Sequence, residues 1–176
     1  MELVDIQHDI VWALKPNRVT SYFGSQVPDK KLTTAVFGFL FQEHELLLTK
    51  NQLGWTLPGG HIEIDEVIET ALMREALEET GVVIKVLEPV GYVEIEVLCP
   101  KPHQYNYPYP KSYLQFFLGE IVEVPPFIPQ HESSDRQFFD RKSVEGMDWF
   151  LEFPKFYSLI FDNILKDERA KGKYKI

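Results

Sequence analysis

Cysteine is almost missing from this chain: Cys99 stands alone among 176 residues. No disulfide can form within the chain, and a reducing, cytoplasmic setting is expected. Basic residues are also short, with 18 Lys and Arg against 27 Asp and Glu, a net charge of −9. A chain this acidic lacks the basic surface that a phosphate backbone demands, which argues against a nucleic-acid polymer as partner. No apolar run approaches the ~20 residues needed to cross a bilayer. The first residues, Met1 to Asp5, are acidic and interrupted, so no signal peptide is expected and no membrane partner either. Five histidines, His8, His44, His61, His103 and His131, fall at no ligand spacing with one another or with Cys99, which predicts no zinc site. Repeats and long linkers are missing too. One domain over residues 1–176 accounts for the chain, with a short N-terminal extension (about 1–30) and a frayed basic tail (about 167–176).

What is present alternates between strand and helix signals. Ile6 to Leu14 has mixed periodicity and reads as a short helix broken by Pro16. Leu32 to Phe41 is β-branched and aromatic, a strand with Leu46 to Lys50 as its hairpin partner. Trp55–Leu57 and His61–Glu63 read as short strands around a Gly59-Gly60 turn. Val82–Val86, Gly91–Leu98 and Tyr113–Glu123 are further strands, and Phe138-Phe139 ends another. Phe156 to Leu165 gathers Phe156, Leu159, Ile160 and Ile164 on one side and reads as a core-packing helix. This order indicates an α/β or α+β sandwich.

Between the glycines and Gly81 lies the chemistry. Glu75, Glu78 and Glu79 stand at i, i+3 and i+4 of an expected helix, so three carboxylates crowd one another. No equal cluster of Lys or Arg accompanies them, and a hard divalent cation would relieve the repulsion. At 100° per residue Ile68 and Leu72 share a direction with Glu75 and Glu79. Met73 and Leu77 lie opposite, so the helix is expected to be covered on both sides, with its acids in a cleft. A plain solvated acidic face is the alternative. Gly59-Gly60 ahead of the helix would let a phosphate approach the backbone closely, and Gly81 suits the helix end.

The stretch Gly60-x5-Glu66-x7-Arg74-Glu75-Ala76-Leu77-Glu78-Glu79-Thr80-Gly81-Val82 resembles the box of the Nudix hydrolases, G-x5-E-x7-R-E-U-x-E-E-x-G-U with U a bulky aliphatic. Every fixed position matches, and Ala76 is smaller than the usual aliphatic. The resemblance covers the box and, more loosely, the strand pattern from about Leu32 to Phe139. It implies an α/β/α sandwich around a mixed sheet. It also implies hydrolysis of the pyrophosphate bond in a nucleoside diphosphate linked to another moiety, such as a nucleotide, nucleotide sugar, ADP-ribose or dinucleotide. Mg²⁺, or Mn²⁺, would be the cofactor. By the box match, Glu75, Glu78, Glu79 and the Gly59 carbonyl would hold the metal, and Glu75 or Glu79 would act on the water. Gly60, Glu66 and Arg74 would support the site, Arg74 as an ion-pair partner of the acids. A homodimer is a family-level expectation.

Other residues extend this picture. Glu132 is the candidate acid outside the box, in a stretch similar to the E-S-x-E-x-x-F-F region of several relatives, with Asp135 in reserve. Glu94 and Glu96 share one face of a strand and are either a further acidic contribution or a solvent face. Tyr105 to Pro110 is an aromatic, proline-stiffened loop in which Tyr107 and Tyr109 could stack on a base. A rigid surface loop or a dimer edge suits it equally. Trp55 would line a cleft or pack in the core. Arg18 and Lys50 are candidate phosphate contacts, though isolated basic residues are commonly just solvated. A catalytically inactive ligand-sensing or interaction module on the same fold is the alternative function, and the intact box favours the enzyme.

Overall fold

Phe116 and Phe117 are consecutive in a strand, so they must face opposite sides of the sheet. Both are buried, which requires cover on both faces. The computed structural model describes residues 1–129 and 133–166. In chain order its elements are β1 (Glu2–His8), β2 (Asn17–Phe23), β3 (Thr33–Gln42), β4 (Glu45–Asn51), β5 (Gly54–Thr56), β6 (Gly59–His61), α1 (Ile68–Thr80), β7 (Val83–Val97), β8 (Lys111–Glu123), β9 (Asp135–Phe139), α2 (Arg141–Val144), α3 (Asp148–Glu152) and α4 (Pro154–Lys166). Among the described residues the strands form one sheet in the order β1-β2-β7-β8-β3-β4-β5, with β6 joined to β3 and β9 to β4. β3 runs parallel to β8 and antiparallel to β4 and β6, so the sheet is mixed.

One face carries Val36, Leu40 and Phe117 beneath Ile68, Ala71, Leu72 and Ala76 of α1. The other carries Phe39, Phe41 and Phe116 beneath Phe156, Ile160 and Phe161 of α4. Phe161 meets Phe39 and Phe41 edge-on at 5.9 and 5.4 Å, and Phe156 meets Phe116 at 5.2 Å. Each such ring, fully buried, is worth up to about 3 kcal/mol. The result is the expected α/β/α sandwich. No helix among the described residues is long and apolar enough to cross a membrane.

Helix α1 forms from a run of strong helix formers, Ala71 to Glu79. Gly81 stops it in the left-handed region (φ 69°), its N–H donating to Leu77 O at 2.9 Å. Ala76, the small residue of the box, has no exposed surface.

Several expectations change. Ile6–Leu14 is not a helix: residues through His8 pair with β2, and Asp9 turns the chain with φ 54°. The ladder with β2 satisfies backbone groups that an isolated short helix would leave open. Met73 and Leu77 are exposed, so α1 is covered on one side only. Gly59-Gly60 is not a turn, because both residues pair with β3 as part of β6. Val82–Val86 and Gly91–Leu98 join in one strand, β7, which absorbs Pro89 at irregular register steps against β8.

Candidate active site

Arg74 sits at the centre of the acidic cluster. Its Nε and Nη2 donate to the two oxygens of Glu66, each at 3.0 Å, a bidentate pair. Its Nη1 donates to Glu75 at 2.8 Å and to Glu78 at 3.3 Å, and Nη2 also reaches His61 O at 3.1 Å. One guanidinium therefore gathers three carboxylates and ties α1 to β6. The bond to Glu66, then that to Glu75, drives the Arg74 pKa further up. Arg74 in turn holds the Glu66 carboxyl below its ordinary value. Glu66 also accepts from Glu63 N at 3.0 Å, which fixes the loop that enters the helix.

β6 is shaped to receive these acids. A Cβ at Gly60 would lie 2.8 Å from the Glu75 carboxyl carbon, so only glycine lets that carboxylate rest on the backbone. A Cβ at Gly59, whose φ is 146°, would stand 2.1 Å from Val36 O. The Gly59 N–H donates to Glu79 Oε2 at 2.9 Å. Farther along, Thr49 Oγ1 donates to Glu79 O at 3.3 Å and lies at hydrogen-bond distance, 2.9 Å, from the Ser133 hydroxyl, joining α1 to β4 and to the residue that follows Glu132 in sequence. Glu132 itself lies outside the described residues, as does the basic tail 167–176. Asp135, the reserve acid, is exposed at the start of β9.

The donor set of Glu75, Glu78, Glu79 and the Gly59 carbonyl is all oxygen, which suits Mg²⁺ or Mn²⁺ in kind. Their carboxylates are turned onto Arg74 and the Gly59 N–H, and no three acidic, histidine or cysteine side chains among the described residues converge on one point. Rotation of side chains about their own bonds is what a cation would require of them.

The remaining candidates scatter. Arg18 is paired with Glu96. Lys50 Nζ lies 5.6 Å over the ring of Trp55, whose other neighbour is Phe139 at 4.8 Å. Trp55 thus packs at the edge of the larger core. Glu94 takes Lys111 at 2.8 Å and the Tyr113 hydroxyl at 3.1 Å. Tyr109 donates to Cys99 O at 2.8 Å. Tyr107 does come to the site: its ring stacks on His61 of β6 at 6.0 Å, with the hydroxyl 3.4 Å from Nε2.

Behind β6, on the α4 face of the sheet, opens a cavity of about 540 Å³. Phe37 and Phe116 form its floor, Trp149, Phe153 and Tyr157 one wall, and His61 and Tyr107 the side toward the acids. Trp12, Ala13 and Leu14 from the β1–β2 connection close another side. Sequence reasoning missed most of this wall; the aromatic density from Trp149 to Tyr157 was its visible trace. Arg136 was also missed. It donates to Thr80 O, the last carbonyl of α1, and to Pro125 O, anchoring the helix end.

With this geometry in view, a family model described as NUDIX domain matches residues 31–158. An ADP-ribose pyrophosphatase from Methanocaldococcus jannaschii is 34% identical over 74 residues, 39% of this chain and 44% of that protein. A putative mutator protein MutT4 from Mycobacterium tuberculosis is 42% identical over 113 residues, 58% of this chain and 44% of that protein. The chain thus spans less than half the length of these two curated relatives. Among solved structures, a Bacillus subtilis pyrophosphohydrolase superimposes with a TM-score of 0.66 over 91% of this chain and 95% of that one, at 17% identity. An ADP-ribose pyrophosphatase from Streptococcus suis gives 0.53 over 73% and 89%, at 20% identity. At these identities the likeness is one of fold.

Proposed function

The chain belongs to the Nudix family, and from that premise we propose that it hydrolyses the pyrophosphate bond of a nucleoside diphosphate linked to a second moiety, with Mg²⁺ or Mn²⁺ as cofactor. The observation that carries this is the double use of β6: Gly59 and Gly60 touch the acids of α1, while His61 lines the adjoining cavity. A diphosphate crossing that strand would have its charge at the acids and its nucleoside in the cavity.

Glu75, Glu78, Glu79 and the Gly59 carbonyl would hold the metal. When bound, such an ion neutralises phosphate charge and lowers the pKa of a bound water. The protein's own part is positional. Arg74 holds Glu75 and Glu78 beside Glu66 and offsets the mutual repulsion of the carboxylates. Glu79 is oriented by the Gly59 N–H. Glu75 or Glu79 would take the proton of the attacking water, with Glu132 as the further acid outside the box. The cavity would exclude water from the bound base and hold it by ring contact.

A panel of ADP-ribose, NADH, dinucleoside polyphosphates, NDP-sugars and ordinary and oxidised NTPs, assayed for released phosphate or mononucleotide with Mg²⁺ or Mn²⁺, tests this. At least one class is expected to turn over, and Glu79→Gln should cut that turnover by at least about 10²-fold with the thermal midpoint little changed. No turnover across the panel, or activity untouched in the variant, overturns the proposal.

A further inference from the structure

His61 is the one basic side chain among the described residues that line the cavity behind β6. It is exposed, so a ligand can reach it. Arg74, the cation on the other side of the strand, is taken up by Glu66, Glu75 and Glu78. Lys50 lies over the ring of Trp55 at 5.6 Å.

The strand sets His61 between the two halves of the site. Successive side chains of a strand point to opposite faces. At Gly60 a Cβ would come within 2.8 Å of the Glu75 carboxyl carbon, so that residue faces the acids, whereas His61 faces the cavity. The backbone that carries the ring is held by pairing with Ala35 of β3, and its carbonyl accepts from Arg74 Nη2 at 3.1 Å. The ring is held as well. Tyr107 stacks on it with centroids 6.0 Å and planes 28° apart, and Tyr105 braces Tyr107 edge-on at 5.7 Å. An imidazole has two ring nitrogens, and the Tyr107 hydroxyl lies beside one of them, 3.4 Å from Nε2.

We propose that His61 donates a ring N–H to the diphosphate of the substrate, at the phosphate nearer the nucleoside, while Tyr107 holds the ring for that contact. The inference rests on the reading that the nucleoside occupies the cavity and the diphosphate crosses β6. A phosphate oxygen only accepts, so its protein partner must be a donor. The acids of α1 meet a diphosphate only through a cation, which leaves the phosphate beside the cavity to a donor of the chain itself.

The other polar groups of the lining are less well placed. Thr34 Oγ1 already donates to Tyr113 O at 3.3 Å. Ser112 is on β8, with β3 between it and β6, two strand spacings or roughly 10 Å away. Glu152 is itself an acid and has the Trp12 indole as its hydrogen-bond partner. Thr56 stands on β5 and Tyr105 in the loop before β8, and neither adjoins Gly60 as His61 does. The contact would keep the scissile bond over the acids while the base points inward.

Methylenediphosphonate carries both phosphorus groups with neither a nucleoside nor a hydrolysable bridge, so it isolates this contact from base binding and from turnover. Calorimetric titration of the full chain with it, in Mg²⁺, is the test. His61→Phe keeps a ring for Tyr107 and removes both nitrogens; His61→Lys loses the ring and restores a donor. Binding should weaken about 10-fold in His61→Phe and return to within about 3-fold of the parent in His61→Lys. On whichever panel substrate turns over, kcat/KM should fall about 10-fold in His61→Phe, mostly through KM. Diphosphonate affinity unchanged in His61→Phe, equal losses in the two variants, or no measurable binding by the parent chain overturns the proposal. Turnover with a KM indifferent to His61→Phe removes this contact and keeps the hydrolase. Diphosphonate binding that depends on His61, in a chain that turns over nothing, removes the hydrolase and keeps the contact.

Discussion

The two sides of β6 solve opposite problems. On the α1 side charges of one sign are crowded together, and Arg74 binds Glu66, Glu75 and Glu78 at once to keep them there. On the α4 side aromatic and aliphatic side chains make up most of the lining of a space in which Glu152 is the one carboxylate among the described residues. The contrast separates two tasks. A carboxylate array recognises what every diphosphate shares, whereas a shaped aromatic cavity recognises what distinguishes one substrate from another. Changes on the acid side should therefore lower turnover for all substrates, and changes on the cavity side should redistribute preference among them.

Arg74→Met gives the largest expected departure. It retains bulk but removes every donor, leaving three carboxylates beside one another without their cation. Loss of a partly buried ion-pair hub should destabilise the fold by about 2–3 kcal/mol. Displacement of Glu75 and Glu78 should lower kcat by about 10²-fold or more. Denaturant midpoints and saturating kinetics measure both. KM should stay within about 3-fold of the parent chain; a parallel rise in KM would show that the two sides are not separable.

Gly60→Ala is a finer break on the same side. The new methyl would meet the far end of the Glu75 side chain rather than backbone, so the strand can persist while the carboxylate moves. A kcat loss of about 10-fold to 10²-fold with a stability change near 1 kcal/mol is expected, and KM should hold. Unaltered kcat would mean that Glu75 need not rest on β6.

The acid side was legible in the sequence because it is local. Gly60, Glu66, Arg74, Glu75, Glu78 and Glu79 lie within one loop and one helix, where spacing alone fixes who meets whom. The same logic misjudged the cover of α1, because periodicity shows that Met73 and Leu77 point away from Leu72 without showing that nothing lies there. Layering and the mixed sheet were legible from runs such as Leu32–Phe41 and Phe156–Leu165. Ile6–Leu14 was not, since the strand state of Ile6, Gln7 and His8 comes from pairing with Thr20, Val19 and Arg18 rather than from their own pattern, and the chain turns after them. The cavity wall was hidden for a related reason. Trp12, Phe37, Phe116, Trp149 and Tyr157 are distant in sequence and meet only once β1–β2, β3, β8 and α3–α4 are assembled. Lys50 and Trp55 lie close ahead of the box in sequence, yet they engage each other, and Trp55 also meets Phe139.

The smallest expected effect sets the two sides against each other through protons. Glu66 is held below its ordinary 4.5, first by its hydrogen bond to Arg74, so the native state binds its proton less readily than the unfolded chain. Its contribution to stability is full above the unfolded value and fades as pH falls through the folded one. Glu152 is shifted the other way by apolar crowding. Its contribution is full below the unfolded value and is lost as pH rises through the folded one. Unfolding free energies measured from pH 3 to 7 for the parent, Glu66→Gln and Glu152→Gln should separate the pair. Glu66→Gln should be destabilised most at pH 7 and approach the parent in acid. Glu152→Gln should lose least, or gain slightly, at pH 7 and lose that advantage as the parent's carboxyl becomes protonated. Difference curves of the same slope would dissolve the contrast between a carboxylate held by a cation and one crowded by rings.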